Sequence, residues 1–140
     1  MAIKYHPDVG DILICDFSQL KTKEPEIVKK RPVICLTPRG RHGRLCTVVP
    51  LSTTAPNPIQ LWHGKVYIDL PKPYDKTQMW IKGDLLYSVS MDRLFVFKEG
   101  KDPSTGKRLY RCPKLNSEEI KLVHRCVLVG LGMYDVAKKL

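Results

Sequence analysis

Three features of this chain have the residue types and spacing to do chemistry: one arginine, two adjacent hydroxyls, and two charges either side of a glycine. Arg31 precedes Pro32-Val33-Ile34-Cys35-Leu36, an apolar run of strand length, and Ser52-Thr53 closes a second run, Thr47-Val48-Val49-Pro50-Leu51. Between the runs lies Arg39-Gly40-Arg41-His42-Gly43-Arg44, basic and rich in turn residues. Two such runs around such a turn predict a hairpin. If the strands pair, a guanidinium at the mouth of one and two hydroxyls at the exit of the other reach the same sheet edge. A guanidinium is a planar fork that matches two phosphate oxygens and keeps its charge. Hydroxyls beside it can hold a further oxygen or orient an attacking group. Downstream, Lys82-Gly83-Asp84 interrupts an apolar run, which suggests a bulge or the approach of a ligand. Taken alone, Arg31 could equally be an exposed charge at a strand start, and Ser52 and Thr53 ordinary strand-end hydroxyls.

The rest of the chain must position these residues. At 140 residues, one domain spanning residues 1–140 with a core of its own is expected. After a short arm, Gly10 to Phe17 alternates and reads as a first, mostly buried strand; Val33 to Leu36 is apolar throughout, as a strand buried on both faces can be. Residues 18–30 form a long polar connection, read either as a functional lid or as a surface loop without a role. Lys65 to Leu70 reads as an edge strand, and Pro71, Pro73 and Tyr74 break it. Trp80 to Val89 is a strand run, Ser90-Met91-Asp92 a turn, and Leu94 to Lys98 a strand paired with Leu109 to Cys112 across the loop 99–108. The one clear helix starts at Leu115, capped by Asn116 with Glu119 three residues on. Its apolar positions, out to Met133 and Tyr134, cover more than one face, so it needs more than one surface to pack on; a subunit interface would be one. The pattern is α+β and mainly β, six or seven short strands and a C-terminal helix, best packed as a small, strongly bent barrel.

Composition narrows the partners. Lysine plus arginine number 24 against 14 acidic residues, a net charge of +10, which points to a polyanion such as nucleic acid or to an acidic protein. The five cysteines form no CxxC pair and the histidines complete no zinc pattern, so buried free thiols in a reducing cytoplasm are expected, with no metal and no cofactor. The four histidines read as solvated or, for His124, as packing. No stretch is apolar for the length a membrane span needs, and residues 1–6 lack a signal-peptide core.

The order Gly10-Asp11-Ile12, Asp16-Phe17, Arg31-Pro32-Val33-Ile34, Val48-Val49-Pro50-Leu51-Ser52-Thr53, Asp84 and Arg93-Leu94 resembles the PemK/MazF-like toxins of type II toxin–antitoxin systems, over roughly residues 9–134. The resemblance implies an SH3-like barrel, a homodimer, and a metal-independent endoribonuclease that cuts single-stranded RNA. It also implies an acidic antitoxin that occupies part of the RNA groove, with which such toxins form a DNA-binding complex. By position, Arg31 matches the family's arginine before proline, and Ser52, with Thr53 beside it, stands where active members have a catalytic threonine. Asp84 matches an acidic residue catalytic in one branch, and Lys82 stands where that branch has an arginine. Three departures are visible: serine for threonine, Leu85 where glutamine is common after the acid, and no histidine in residues 18–30. The loop 99–108 lies outside the family pattern.

Cutting RNA without a metal uses the 2′-hydroxyl as nucleophile and leaves a 2′,3′-cyclic phosphate and a 5′-hydroxyl. The protein must remove one proton, donate another and neutralise the phosphorane. Arg31 suits neutralisation. Asp84 suits the base if burial raises its pKa, and is otherwise a structural partner for Arg31 or Arg93. For RNA binding, Lys29, Lys30, Arg39, Arg41 and Arg44 could follow a backbone together with Lys21 and Lys23. Lys82 adds charge, and Tyr87, Trp62 and Trp80 could stack bases, Trp80 being equally a core residue. The alternative is a toxin or binding module on the same fold that does not cleave, for example one resembling the gyrase-inhibiting toxins.

Overall fold

The computed structural model describes residues 2–18, 29–40, 43–75 and 77–140. Of the expected connection at 18–30, residues 19–28, with Lys21 and Lys23, lie outside the described residues, as does Arg41, while Lys30 already belongs to a strand. In chain order the elements are β1 (Ile12–Asp16), β2 (Lys30–Cys35), β3 (Leu45–Ser52), β4 (His63–Tyr67), β5 (Gln78–Lys82), β6 (Tyr87–Ser90), a 3-10 turn (Met91–Arg93), β7 (Leu94–Phe95), β8 (Phe97–Lys101), β9 (Arg108–Arg111), α1 (Ser117–Gly130) and α2 (Tyr134–Ala137).

The predicted hairpin is the centre of the sheet. β2 pairs antiparallel with β3 in the register Val33 to Pro50, Ile34 to Val49 and Cys35 to Val48. β1 lies on the other side of β2, with Cys15 opposite Arg31. β3 is long enough to serve two partners. Its first half pairs with β6 and its exit with β5, where Ser52 faces Trp80. β4 is the outer neighbour of β5, the edge strand expected from its weak alternation. β7 pairs with β1, and one 3-10 turn, capped by the Ser90 hydroxyl, joins it to β6. The β1–β2–β3 sheet is thus bent round until its flanks meet through that turn, giving the SH3-like, mainly β fold with a C-terminal helix.

Both faces of the central strands are buried, which is why their sequence is apolar without interruption. One face gathers Leu13, Cys15, Phe17, Val33, Cys35 and Val48 inside the bend. The other gathers Ile12, Ile34, Val49 and Leu51 under β4, β5 and the helix residues Val123, Cys126 and Val127. The α1 N-terminus carries the expected capping box: the Glu119 backbone N–H donates to Asn116 Oδ1 at 2.8 Å, and the Asn116 N–H donates to Glu119 Oε1 at 3.0 Å.

Three boundaries differ from the sequence reading. The run Trp80–Val89 is not one strand: β5 ends at Lys82 and β6 begins at Tyr87, and the two pair with different stretches of β3. The run Leu94–Lys98 is not one strand, because its halves have different partners: Leu94 and Phe95 pair with β1, while β8 turns away to pair with β9 as a separate two-stranded sheet. The helix stops at Gly130, and Gly132 adopts φ +82°, so Tyr134 belongs to the short α2 rather than to the first helix. All five cysteines are free, four of them buried. Burial pushes the Cys15 thiol up to about 12 and the Cys126 thiol to about 11, which leaves both as inert packing groups at neutral pH.

Candidate active site

The register of the central hairpin decides where Arg31 stands. The β2–β3 pairing runs as far as Val33 opposite Pro50; beyond it Arg31 pairs with Cys15 of β1 and Ser52 with Trp80 of β5, so both lie past the last rung, at the open end of the hairpin. The arginine is half-buried, and its Nε is buried with no hydrogen-bond acceptor among the described residues. A buried N–H without a partner is costly, and an anion arriving at the guanidinium would supply what it lacks. Ser52 is half-buried at the end of β3, and its hydroxyl is engaged locally: it accepts from the Thr54 N–H and lies 3.2 Å from the Thr54 carbonyl. Thr53 is half-buried between them.

A residue read in the sequence only as a strand breaker lies within electrostatic range of this corner. The phenol of Tyr74 is pushed up by burial, and the positive charge of Arg31 draws it part of the way back. Tyr74 is held edge-on against Phe97, ring centroids 6.0 Å apart. An aromatic between prolines in a turn, Pro71-Lys72-Pro73-Tyr74, was the available signal.

Asp84 belongs to a different cluster. It is exposed, in the turn after β5, beside a glycine that has no room for a side chain: a Cβ on Gly83 would lie 2.4 Å from the Cys126 carbonyl oxygen of α1. His63, opposite Lys82 in the β4–β5 ladder, feels burial, which lowers its pKa, then the opposing pull of Asp84 and the push of Lys82. Among the described residues Asp84 makes no ion pair with Arg31 or Arg93. Asp84 is four residues past Trp80, the partner of Ser52, and lies beyond the end of β5.

The proposed RNA-binding residues are also divided. Lys29 and Lys30 are exposed at the mouth of β2, next to Arg31. Arg39 and Arg44 lie at the turn end of the hairpin, the far end from Arg31, and both are ion-paired: Arg39 Nε with Asp8 at 2.8 Å, Arg44 with Asp92. Tyr87 is on β6 opposite Val48, its ring 5.0 Å from that of Phe17. Trp80 is buried in the core, while Trp62 is half-buried.

Residues 8–129 match the sequence profile of the PemK-like, MazF-like toxins of type II toxin–antitoxin systems. The chain belongs to that family. Among its relatives, an uncharacterised Haemophilus influenzae protein is 37% identical over 112 residues, covering 68% of this chain and 74% of its own. YifN, an uncharacterised Escherichia coli protein, is 31% identical over 115 residues, covering 67% and 75%. Two solved structures share the fold at low identity. A mycobacterial endoribonuclease in complex with its cognate antitoxin superposes with a TM-score of 0.60 at 16% identity, covering 91% of this chain and 97% of that one. MazF from Deinococcus radiodurans superposes with a TM-score of 0.59 at 18% identity, covering 93% and 100%. No helix among the described residues of this family member is long and apolar enough to cross a membrane.

Proposed function

We propose that this toxin-family chain is a metal-independent endoribonuclease that cuts single-stranded RNA by attack of a 2′-hydroxyl on the adjacent phosphate. The observation that carries the reading is Arg31: half-buried, its buried Nε without a hydrogen-bond partner among the described residues, at the open mouth of the central hairpin where β3 ends with Ser52. The guanidinium takes the non-bridging oxygens of the scissile phosphate and stabilises the charge that grows on the phosphorane, and the P–O5′ bond breaks as the departing 5′-oxygen takes a proton from Arg31, which recovers it from water. Ser52 and Thr53 hold an oxygen or orient the 2′-hydroxyl, which for Ser52 means exchanging its bonds with Thr54 for the substrate. Asp84 is the carboxylate proposed to take the proton from the 2′-oxygen. Lys29, Lys30, Arg39, Arg41, Arg44, Lys82 and Tyr87 supply the remaining contacts to the strand. The net charge of +10 suits an acidic antitoxin as partner. The exposed Leu131, Met133, Tyr134 and Val136 near the C-terminus supply apolar surface for a homodimer, and the site of action is the cytoplasm, where RNA is the substrate.

The test is purified protein incubated with total RNA, with and without EDTA, followed by end mapping. The expected result is 5′-hydroxyl ends in both conditions and none with Arg31→Ala; full activity of that variant would overturn the assignment. A second reading, a toxin that binds without cleaving, is favoured by one observation, the satisfaction of the Ser52 hydroxyl by Thr54. It predicts growth inhibition or RNA binding with no cut ends.

A further inference from the structure

A cavity of about 360 Å³ reaches the mouth of β2 at Lys30, the residue before Arg31, and none of the residues assigned above to the chemical step lines it. That volume is near the lower end for pockets that hold small ligands. Its walls come from three places in the chain: Lys30 at the mouth of β2, Lys72 and Tyr74 from the turn after β4, and Lys98 and Tyr110 from the β8–β9 hairpin, over a floor that includes Phe97. Lys98 and Tyr110 are direct partners in the β8–β9 ladder, so they present one lysine and one aromatic ring on the same face. Among the described residues Lys72 and Lys98 have no ion-pair partner, although acidic residues elsewhere on the surface are paired with basic ones. Tyr110 is 53% exposed, with its ring open to be covered.

The walls are held in place. Arg111, at the end of β9, donates to the carbonyl oxygen of Asp69 at 2.5 Å and pairs with Glu99 at 3.3 Å, which ties the hairpin to the segment leading into Lys72 and Tyr74. Tyr74 is fixed edge-on by Phe97 and lies within electrostatic range of Arg31. The β8–β9 hairpin therefore helps to build a cationic, aromatic-walled recess that reaches the mouth of β2 at Lys30, the residue before Arg31.

We infer that this recess binds one nucleotide of a single-stranded RNA, the one next to the phosphate held by Arg31, with its base against Tyr110 and its phosphate among Lys30, Lys72 and Lys98. The inference rests on the endoribonuclease reading for its choice of strand. Aromatic rings stack on any base, and unpaired lysines attract phosphate without regard to sequence, so the recess adds affinity and sets the position of the strand. It gives the chain a flanking subsite at the mouth of β2.

Binding of a fluorescent 2′-O-methyl RNA decamer of mixed sequence, which lacks the nucleophile and cannot be cut, tests this on the full chain. Tyr110→Ala is expected to weaken binding about tenfold while Tyr110→Phe binds as the native chain does. Lys72→Ala with Lys98→Ala is expected to weaken binding and to lower the slope of log affinity against log salt by about 0.7 for each phosphate that the lysines no longer neutralise. These side chains are exposed or rim the cavity, and unchanged melting temperatures check that the variants fold. If Arg31→Ala weakens binding and the Tyr110 and lysine variants do not, the recess is rejected and the RNA reading stands. If the native chain binds neither the decamer nor a free nucleoside monophosphate by NMR shifts at the Tyr74 and Tyr110 rings, both fall. An acidic peptide that binds the native chain but not Tyr110→Ala, with decamer affinity equal in the two, would reassign the recess to a protein partner.

Discussion

The two ends of the β2–β3 hairpin carry arginines of opposite fates. At the turn end, Arg39 and Arg44 are exposed and each is matched to a carboxylate, Asp8 and Asp92. At the open end, Arg31 is half-buried and its Nε has no partner among the described residues, although an arginine leaving water normally takes a carboxylate with it. Sequence alone ranks these arginines together, as members of one basic set. The structure separates charges already neutralised by the fold from a charge held ready for an anion that the fold does not contain. What matters for function is therefore not how basic a stretch is but which of its cations the tertiary structure leaves unsatisfied.

The largest effect that tests this contrast is on Arg31 itself. Arg31→Ala removes the one preorganised charge at the proposed scissile phosphate and is expected to lower the cleavage rate about 10²- to 10³-fold. Arg31→Lys restores charge but not the two-pronged geometry and should recover only a part of the loss. Single-turnover rates on a defined RNA measure both, and the melting temperature should not fall. Next is Ser52. Ser52→Ala should slow cleavage about tenfold, and Ser52→Thr, the residue common in active members of the family, should equal or exceed the native rate, because a β-branched side chain holds its hydroxyl in fewer rotamers. A Ser52→Ala variant with native rates would show that the hydroxyl stays with Thr54 and takes no part.

The contrast also marks how far the sequence could be read. The hairpin and its register were legible because apolar runs buried on both faces leave few alternatives, and the capping box at Asn116 because its partners are three residues apart. The arginine pairing was not legible: Arg44 and Asp92 are 48 positions apart and meet only when β3 and β6 pair. The division of Leu94–Lys98 depended on competition between β1 and β9 for adjacent residues, which no local pattern records. Tyr74 was hidden for a different reason. Beside two prolines it signals a turn, and only the fold brings that turn within electrostatic range of Arg31.

Asp84 is intermediate, a proposed participant that the fold sets beside His63 rather than beside Arg31. A base acting directly on the 2′-oxygen contributes about 10²- to 10⁴-fold, so a loss of that size in Asp84→Asn would show that the substrate bridges the two clusters. A loss of that size is the expected result, and one under tenfold would remove Asp84 from the role of base. The same variant has a spectroscopic signature. Asp84 pulls the His63 pKa up against the larger, lowering effect of burial, so removing the carboxylate should move the His63 titration to still lower pH. The sign carries to stability. With a folded pKa below that of the unfolded chain, His63 contributes stability above the ordinary histidine range and loses it as pH falls through that range, slightly more so in Asp84→Asn. NMR titration of the His63 ring reads the shift directly.

The smallest effects belong to the satisfied end. Exposed ion pairs contribute about 0–1 kcal/mol and are screened by salt. Arg39→Ala and Arg44→Ala should each change the melting temperature by no more than a few degrees, and the change should shrink in high salt. Because each arginine must leave a carboxylate to meet RNA, cleavage should slow less than about threefold, against the hundredfold or more expected at Arg31. Equal losses at the two ends would mean that the antiparallel hairpin presents one continuous binding surface, and that the pairing with Asp8 and Asp92 is given up when RNA binds. Loss confined to Arg31 would mean that Asp8 and Asp92 act as internal competitors, keeping the turn end out of the RNA path.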